Sequence, residues 1–214
     1  MKEYENLDVE VRDHVVTVKL NRPPANALSM ELYADLRDVF TEINESDPFD
    51  VRVVILTGEG RFFCAGRDVK TAENDNKERR QAVNRSAHSA LYNCVVPVIA
   101  AVNGIALGGG LTLVQECDII IASRTATFGL PEVNIGLAGG LAGTKRGMNT
   151  YQARKLYFTG RTVDAAYFER LGVVDEVVEP EDLMDAAWAL ATELASKSPS
   201  ALRTAKFIAN EAEK

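Results

Sequence analysis

The chain has 214 residues, 46% hydrophobic and 26% charged, which fits one domain, or one domain plus a helical piece, with a core that needs no disulfides or metal. A formal charge of −7 with pI near 5.0 argues against nucleic acid as a main partner. No apolar run approaches the ~18 residues of a membrane span, and the charged start "MKEYENLDVEV" enters a strand pattern directly, so neither membrane nor secretory leader is expected. Cys64, Cys94 and Cys117 lack any CxxC spacing and read as reduced thiols of a cytoplasmic protein. Two histidines, His14 and His88, are too few for a multi-histidine metal site.

In chain order, residues 8–12 and 15–20 form a hairpin pattern around an "RDH" turn. "NRPPANA" is a loop by its prolines. Ser29 then caps a helix whose Leu32, Leu36, Val39, Phe40 and Ile43 follow the 3.6 period. "VRVVILTGEG" (51–60) is a buried strand, and 61–72 reads as an exposed loop. Helix resumes near residue 79 and runs toward Tyr92. "VPVIAAVNG" (96–104) is a strand, Leu111–Cys117 a helix, "DIIIAS" (118–123) a strand, and 124–143 loop-rich. Helices are predicted near 149–158, 164–171, 181–196 and 200–212. Strands alternating with helices give an α/β class with a helical C-terminal third.

Two glycine clusters call for comparison with phosphate-binding loops. "GEGRFF" follows a strand, but Phe63 stands where a dinucleotide fingerprint needs its third glycine, and no P-loop occurs. In "NGIALGGGL" the glycines open a helix whose first N–H groups have no intrahelical partner. A ligand oxygen can reach those donors without meeting a side chain, and the helix dipole favours negative charge there. An oxyanion site and close helix–strand packing explain the spacing equally well.

Several segments together resemble the enoyl-CoA hydratase/isomerase (crotonase) superfamily: "NRPPANALS", "VVILTGEGRFFCAGRDVK", "PVIAAVNGIALGGGLTLVQECDIIIAS", "ATFGLPEVNIGLAGGLAGTKR" and "ARKLYFTGRTVDAAYFERLGVVDEVV". They occur in that family's order and cover nearly the whole chain. The resemblance implies a crotonase-like ββα superhelix, here an α/β spiral core at 1–145 with a helical C-terminal region at 146–214. It also implies assembly as a homotrimer or dimer of trimers, an acyl-CoA thioester substrate, and no cofactor beyond the coenzyme A carried by that substrate.

By the same resemblance, the backbone N–H groups of Arg67 and Gly109 hold the thioester oxygen. Ala65, Asp68 and Val69 wrap the adenosine end of coenzyme A, and Pro24, Ala25 and Asn26 flank the pantetheine arm. Family hydratases carry one catalytic Glu two residues after the glycine triplet and a second in a later "PE" element. Here the first position is Thr112 and the second is Glu132. One carboxylate suffices for a 1,3-proton shuttle, so an enoyl-CoA isomerase with Glu132 as sole acid/base is favoured. A hydratase, a thioester decarboxylase or hydrolase, and a non-catalytic acyl-CoA-binding homologue remain alternatives.

Thr112 either orients a water or substrate group or simply packs. Glu116, one turn later on the same face, is either a second carboxylate or the partner of a neighbouring cation. His88 is either catalytic or a surface-helix residue. Gly140 stands in the region where dienoyl-CoA isomerases place an extra Asp, which disfavours that activity. Arg146, Arg154 and Lys155 either reach coenzyme A phosphates or form a solvated face.

Overall fold

The computed structural model describes residues 2–47, 49–68, 77–138 and 146–213. The chain opens with an antiparallel hairpin, β1 (Leu7–Arg12) and β2 (Val15–Leu20). Asp13 and His14 both take positive φ in its two-residue turn, as a tight hairpin requires. Helix α1 (Met30–Glu45) follows, with the Ser29 hydroxyl accepting from the Leu32 N–H at its start.

Then a unit repeats: a strand, a second short strand, a helix. The first unit is β3 (Val53–Gly58), β4 (Phe62–Cys64) and α2 (Lys77–Tyr92). The second is β5 (Val98–Val102), β6 (Ile105–Leu107) and α3 (Gly109–Glu116). In the third, β7 (Ile119–Ser123) and β8 (Thr127–Gly129) precede a 3-10 turn at Pro131–Ile135 and helix α4 (Thr150–Thr159). The chain continues through β9 (Thr162–Asp164), α5 (Ala165–Arg170), β10 (Glu176–Val178), α6 (Leu183–Ala195) and α7 (Pro199–Ala212).

Two sheets result. The first is ordered β1-β2-β3-β5-β7-β10 and the second β4-β6-β8-β9. Every pairing is parallel except β1–β2 and β8–β9. Each repeat adds one strand to each sheet, which is the ββα spiral expected from the resemblance. Residues 61–72, read as an exposed loop, instead begin with the short strand β4, in which Phe63 and Cys64 are fully buried. The helical third is likewise interrupted, because β9 joins the second sheet and β10 the first. The suggested division at residue 145 falls outside the described residues.

Residues of β3 alternate between two cores: Val54 and Leu56 face the one shared with α1 and the second sheet, Val53 and Ile55 the one under α6. Both faces of the first sheet are therefore covered, which is why its central strands read as unbroken apolar runs. Helix α6 lies on it through Leu183, Ala187, Ala191 and Ala195, a four-residue period that makes one narrow apolar stripe. Among the described residues no helix is long and apolar enough to cross a membrane.

Candidate active site

The second sheet positions the site. Strands β4, β6 and β8 are parallel neighbours, so the segments leaving their C-terminal ends lie side by side. Those segments are 65–68, 108–110 and 130–132, and they carry Arg67, Gly109 and Glu132.

Arg67 is held by a parallel bridge to Leu28. The Leu28 N–H donates to Gly66 O at 2.8 Å, and the Asp68 N–H donates to Leu28 O at 3.1 Å. In such a bridge the N–H of the intervening residue points away from the partner strand, which frees that of Arg67. Gly109 is the first residue of α3, where backbone N–H groups have no intrahelical acceptor. A methyl group built on Gly109 would lie 3.9 Å from the Arg67 nitrogen and 3.4 Å from the Tyr33 hydroxyl. The two N–H groups thus share one small space, and among the described residues neither has a partner. Gly66 permits this approach: at φ +86 it lies so close to the next segment that a side chain would sit 2.6 Å from Leu107 O and 3.3 Å from the Gly109 nitrogen.

Glu132 reaches the same place from the 3-10 turn. Gly108 takes φ 53 and ψ −120, and a methyl group on it would lie 2.7 Å from Glu132 Oε1. The Gly108 N–H donates to Gly129 O at 2.9 Å, which ties the glycine segment to the strand that leads to Glu132. Glu132 Oε2 is buried without a hydrogen-bond partner among the described residues. An unpartnered buried carboxylate oxygen is costly, and such groups collect at functional sites. Beside it opens an apolar cavity of about 100 Å³, lined by Leu130, Val133, Leu137, Tyr157 and Phe158 among others.

The loops expected to hold coenzyme A are stapled to each other. Arg22 pairs with Asp68 at 2.9 Å and donates to Ala27 O at 3.1 Å, while the Ala65 N–H donates to Ala25 O at 3.0 Å. Asn26, at φ 50, spends its buried amide within the protein: Nδ2 donates to Glu59 O and Phe62 O, and Oδ1 accepts from the Arg22 N–H. Its amide shapes the loop, while the exposed Pro24 and half-buried Ala25 present its outer surface. Val69 and Gly140 lie outside the described residues.

Thr112 is half-buried, and its hydroxyl leans back on Gly108 O at 3.4 Å. Glu116 and His88 are joined, Oε2 to Nδ1 at 2.7 Å. Burial pushes the Glu116 carboxyl above its ordinary range, against the opposing pull of His88 and Arg146. His88 is no surface residue: its side chain is 16% exposed and its ring lies 5.7 Å from that of Tyr33. Arg146 is spent internally, donating to Gln115 O and Cys117 O at the end of α3 and pairing with Glu213 at 2.8 Å. Phosphate binding by Arg146 therefore has no support here. Tyr33 was not singled out from the sequence. Its spacing marks it as a core position of α1, and only the fold shows its hydroxyl at Gly109.

Two convergent backbone donors, a carboxylate with a free oxygen, and an apolar cavity beside them have the chemistry to polarise a carbonyl and to move a proton next to it. A family model described as enoyl-CoA hydratase/isomerase matches residues 10–213. The chain is 42% identical over 202 residues to (7aS)-7a-methyl-1,5-dioxo-2,3,5,6,7,7a-hexahydro-1H-indene-carboxyl-CoA hydrolase of Mycobacterium tuberculosis, covering 92% of this chain and 80% of that protein. It is 37% identical over 216 aligned positions to crotonyl-CoA hydratase of Syntrophomonas wolfei, covering 97% and 82%. Among solved structures, the enoyl-CoA hydratase of Bacillus anthracis superposes with a TM-score of 0.91 at 37% identity, covering 98% and 84%. The chain belongs to the enoyl-CoA hydratase/isomerase family, and it is an acyl-CoA enzyme of that family.

Proposed function

We propose that this enzyme binds an acyl-CoA with its thioester oxygen between the N–H groups of Arg67 and Gly109, and that Glu132 transfers the proton at carbon 2. The observation that carries this reading is the shared space of the two donors with Glu132 Oε1 one residue away, at Gly108. Charge developing on the oxygen meets two pre-oriented donors, each worth about 3–4 kcal/mol in the transition state. Carbon 2 becomes acidic as the enolate is stabilised, and Glu132 stands ready as the base.

With Glu132 as the sole carboxylate, the favoured reaction is isomerisation of a 3-enoyl to a 2-enoyl thioester: Glu132 removes the carbon 2 proton and returns it at carbon 4. Hydration or hydrolysis is the second reading, favoured by the likeness of the chain to a hydratase and a hydrolase. Coenzyme A enters with the substrate along the stapled loops, Pro24 to Asn26 on one side and Ala65 and Asp68 on the other, and no further cofactor takes part. The exposed Val133 and Phe158 beside the cavity, and the exposed Ile135, are surfaces that a second copy would cover in the expected homotrimer or dimer of trimers. Light scattering of the purified protein tests that; a monomeric mass contradicts it.

The reaction is tested with 3-hexenoyl-CoA, following the absorbance of the conjugated 2-enoyl thioester. Wild type is expected to form it, and Glu132→Gln to lose about 10²–10⁴-fold in kcat. Binding without conversion by wild type, or equal rates in the variant, contradicts the assignment.

A further inference from the structure

We propose that His88, held by Glu116, is a second acid–base group of this site, one that activates water at carbon 3 of a 2-enoyl thioester. This rests on the site binding an acyl-CoA as described above.

Four observations converge. Glu116 is buried at 8% exposure, and its Oε2 lies 2.7 Å from His88 Nδ1, which donates to the ionised carboxylate. That bond leaves the other ring nitrogen, Nε2, with its lone pair in the neutral imidazole, and among the described residues Nε2 has no partner. The imidazole ring neighbours the Tyr33 ring at 5.7 Å, and the Tyr33 hydroxyl lies 3.4 Å from where a Gly109 methyl would be. Glu132 meets the glycine pair at Gly108, whereas Tyr33 meets it at Gly109, with the His88 ring beside that of Tyr33. Finally, the position where family hydratases carry their first carboxylate is Thr112, and Glu116 is one helical turn further along the same face.

A purely structural ion pair explains less. Burial raises the Glu116 carboxyl, so enclosing the charge costs stability, and buried pairs are seldom net stabilisers. The charged and titratable groups around the pair are Tyr33 from α1, Arg146 beyond the end of α3, and the buried Cys117 thiol, while Arg67 on the neighbouring loop faces Tyr33. An acid–base role gives the buried charge a use that stability does not.

The step balances. Nε2 of His88 takes one proton from water as the water oxygen bonds to carbon 3. The carbon 2–carbon 3 π pair moves onto the thioester oxygen, giving the enolate held by Arg67 and Gly109. Glu132, entering as the carboxylic acid, gives its proton to carbon 2 as the enolate collapses. The His88 proton returns to Glu132 through solvent, and the net change is addition of one water.

The test compares hydration of crotonyl-CoA with isomerisation of 3-hexenoyl-CoA in wild type, His88→Gln, Glu116→Gln and His14→Gln. In His88→Gln the ratio of hydration to isomerisation is expected to fall at least about tenfold, through kcat, with KM within about twofold. Glu116→Gln lowers the same ratio less, as befits a positioning residue, and His14→Gln leaves it unchanged. Because the chain has only two imidazoles, their ring proton resonances report directly on the wild type, with His14→Gln assigning them. Adding butyryl-CoA is expected to move the His88 resonance and leave that of His14 in place. The proposal is overturned by a bound thioester that leaves His88 unmoved, by an unchanged ratio, or by a wild type that isomerises but does not hydrate. Binding of no thioester at all instead overturns the acyl-CoA reading beneath it.

Discussion

Gly108, Gly109 and Gly110 do three different jobs although they look alike in the sequence. Gly108 adopts a backbone conformation that other residues rarely reach and lies against Glu132 Oε1. Gly109 leaves an N–H open, and Gly110 packs on the Cys64 backbone so closely that no side chain fits. Gly108→Ala is therefore expected to cost about 1–3 kcal/mol in urea unfolding and to displace Glu132, lowering turnover as well. Unaltered stability would show that the backbone there relaxes freely. Glu116→Gln carries the opposite sign. Its carboxyl is held above the ordinary range, so the fold favours the protonated form. That contribution is fully present below the unfolded-chain value and is lost as pH rises through the folded one. The variant is therefore expected to melt above wild type at neutral pH and to lose the advantage in mild acid. A lower melting temperature at neutral pH would show that the ion pair stabilises the fold. The three buried cysteines follow the same reasoning: burial pushes Cys64 up to about 12, Cys94 to about 11 and Cys117 well above its ordinary value, so none alkylates in the native protein near pH 8. At this scale the sequence revealed Glu132 and the glycines, because motif order places them. It could not show Tyr33 or the His88–Glu116 bond, since Tyr33, His88 and Glu116 come from three different helices and only packing joins them.

Strands and α-helices of five or more residues were legible, and the three-residue strands and the 3-10 turn at Pro131–Ile135 were not. Strand β3 and strands β5 and β7 stand out as apolar runs because both faces of their sheet are covered. Strands β4, β6, β8, β9 and β10 have three residues each, too few for any periodicity, and none was predicted as a strand. The second sheet, which positions Arg67, Gly109 and Glu132, was thus nearly invisible in the sequence. Helix α7 shows how a legible element docks through an illegible contact. Lys206, 5% exposed, donates to Asp118 Oδ1 at 2.6 Å, while Asp118 Oδ2 accepts from the Val98 N–H at 2.8 Å. Removing the cation leaves a carboxylate largely enclosed beside β5. Lys206→Ala is expected to destabilise by about 3 kcal/mol in urea unfolding. A change within about 0.5 kcal/mol would mean that α7 is held by its other contacts alone.

Across the whole molecule, the ββα repeat converts sequence distance into adjacency. Arg67, Gly109 and Glu132 are separated by about one repeat each, and each leaves the C-terminal end of a neighbouring strand in one parallel sheet. Because those strands are parallel neighbours, the segments leaving them lie side by side, and under the proposed reading a carbonyl at that edge meets donors and carboxylate together. Incubating butyryl-CoA with the enzyme in deuterium oxide and following the carbon 2 protons by NMR tests this arrangement with no assumption about the later steps. Wild type is expected to exchange them for deuterium and Glu132→Gln to lose that exchange while still binding the thioester. Equal exchange by the two proteins, or none by a wild type that binds butyryl-CoA, would contradict it.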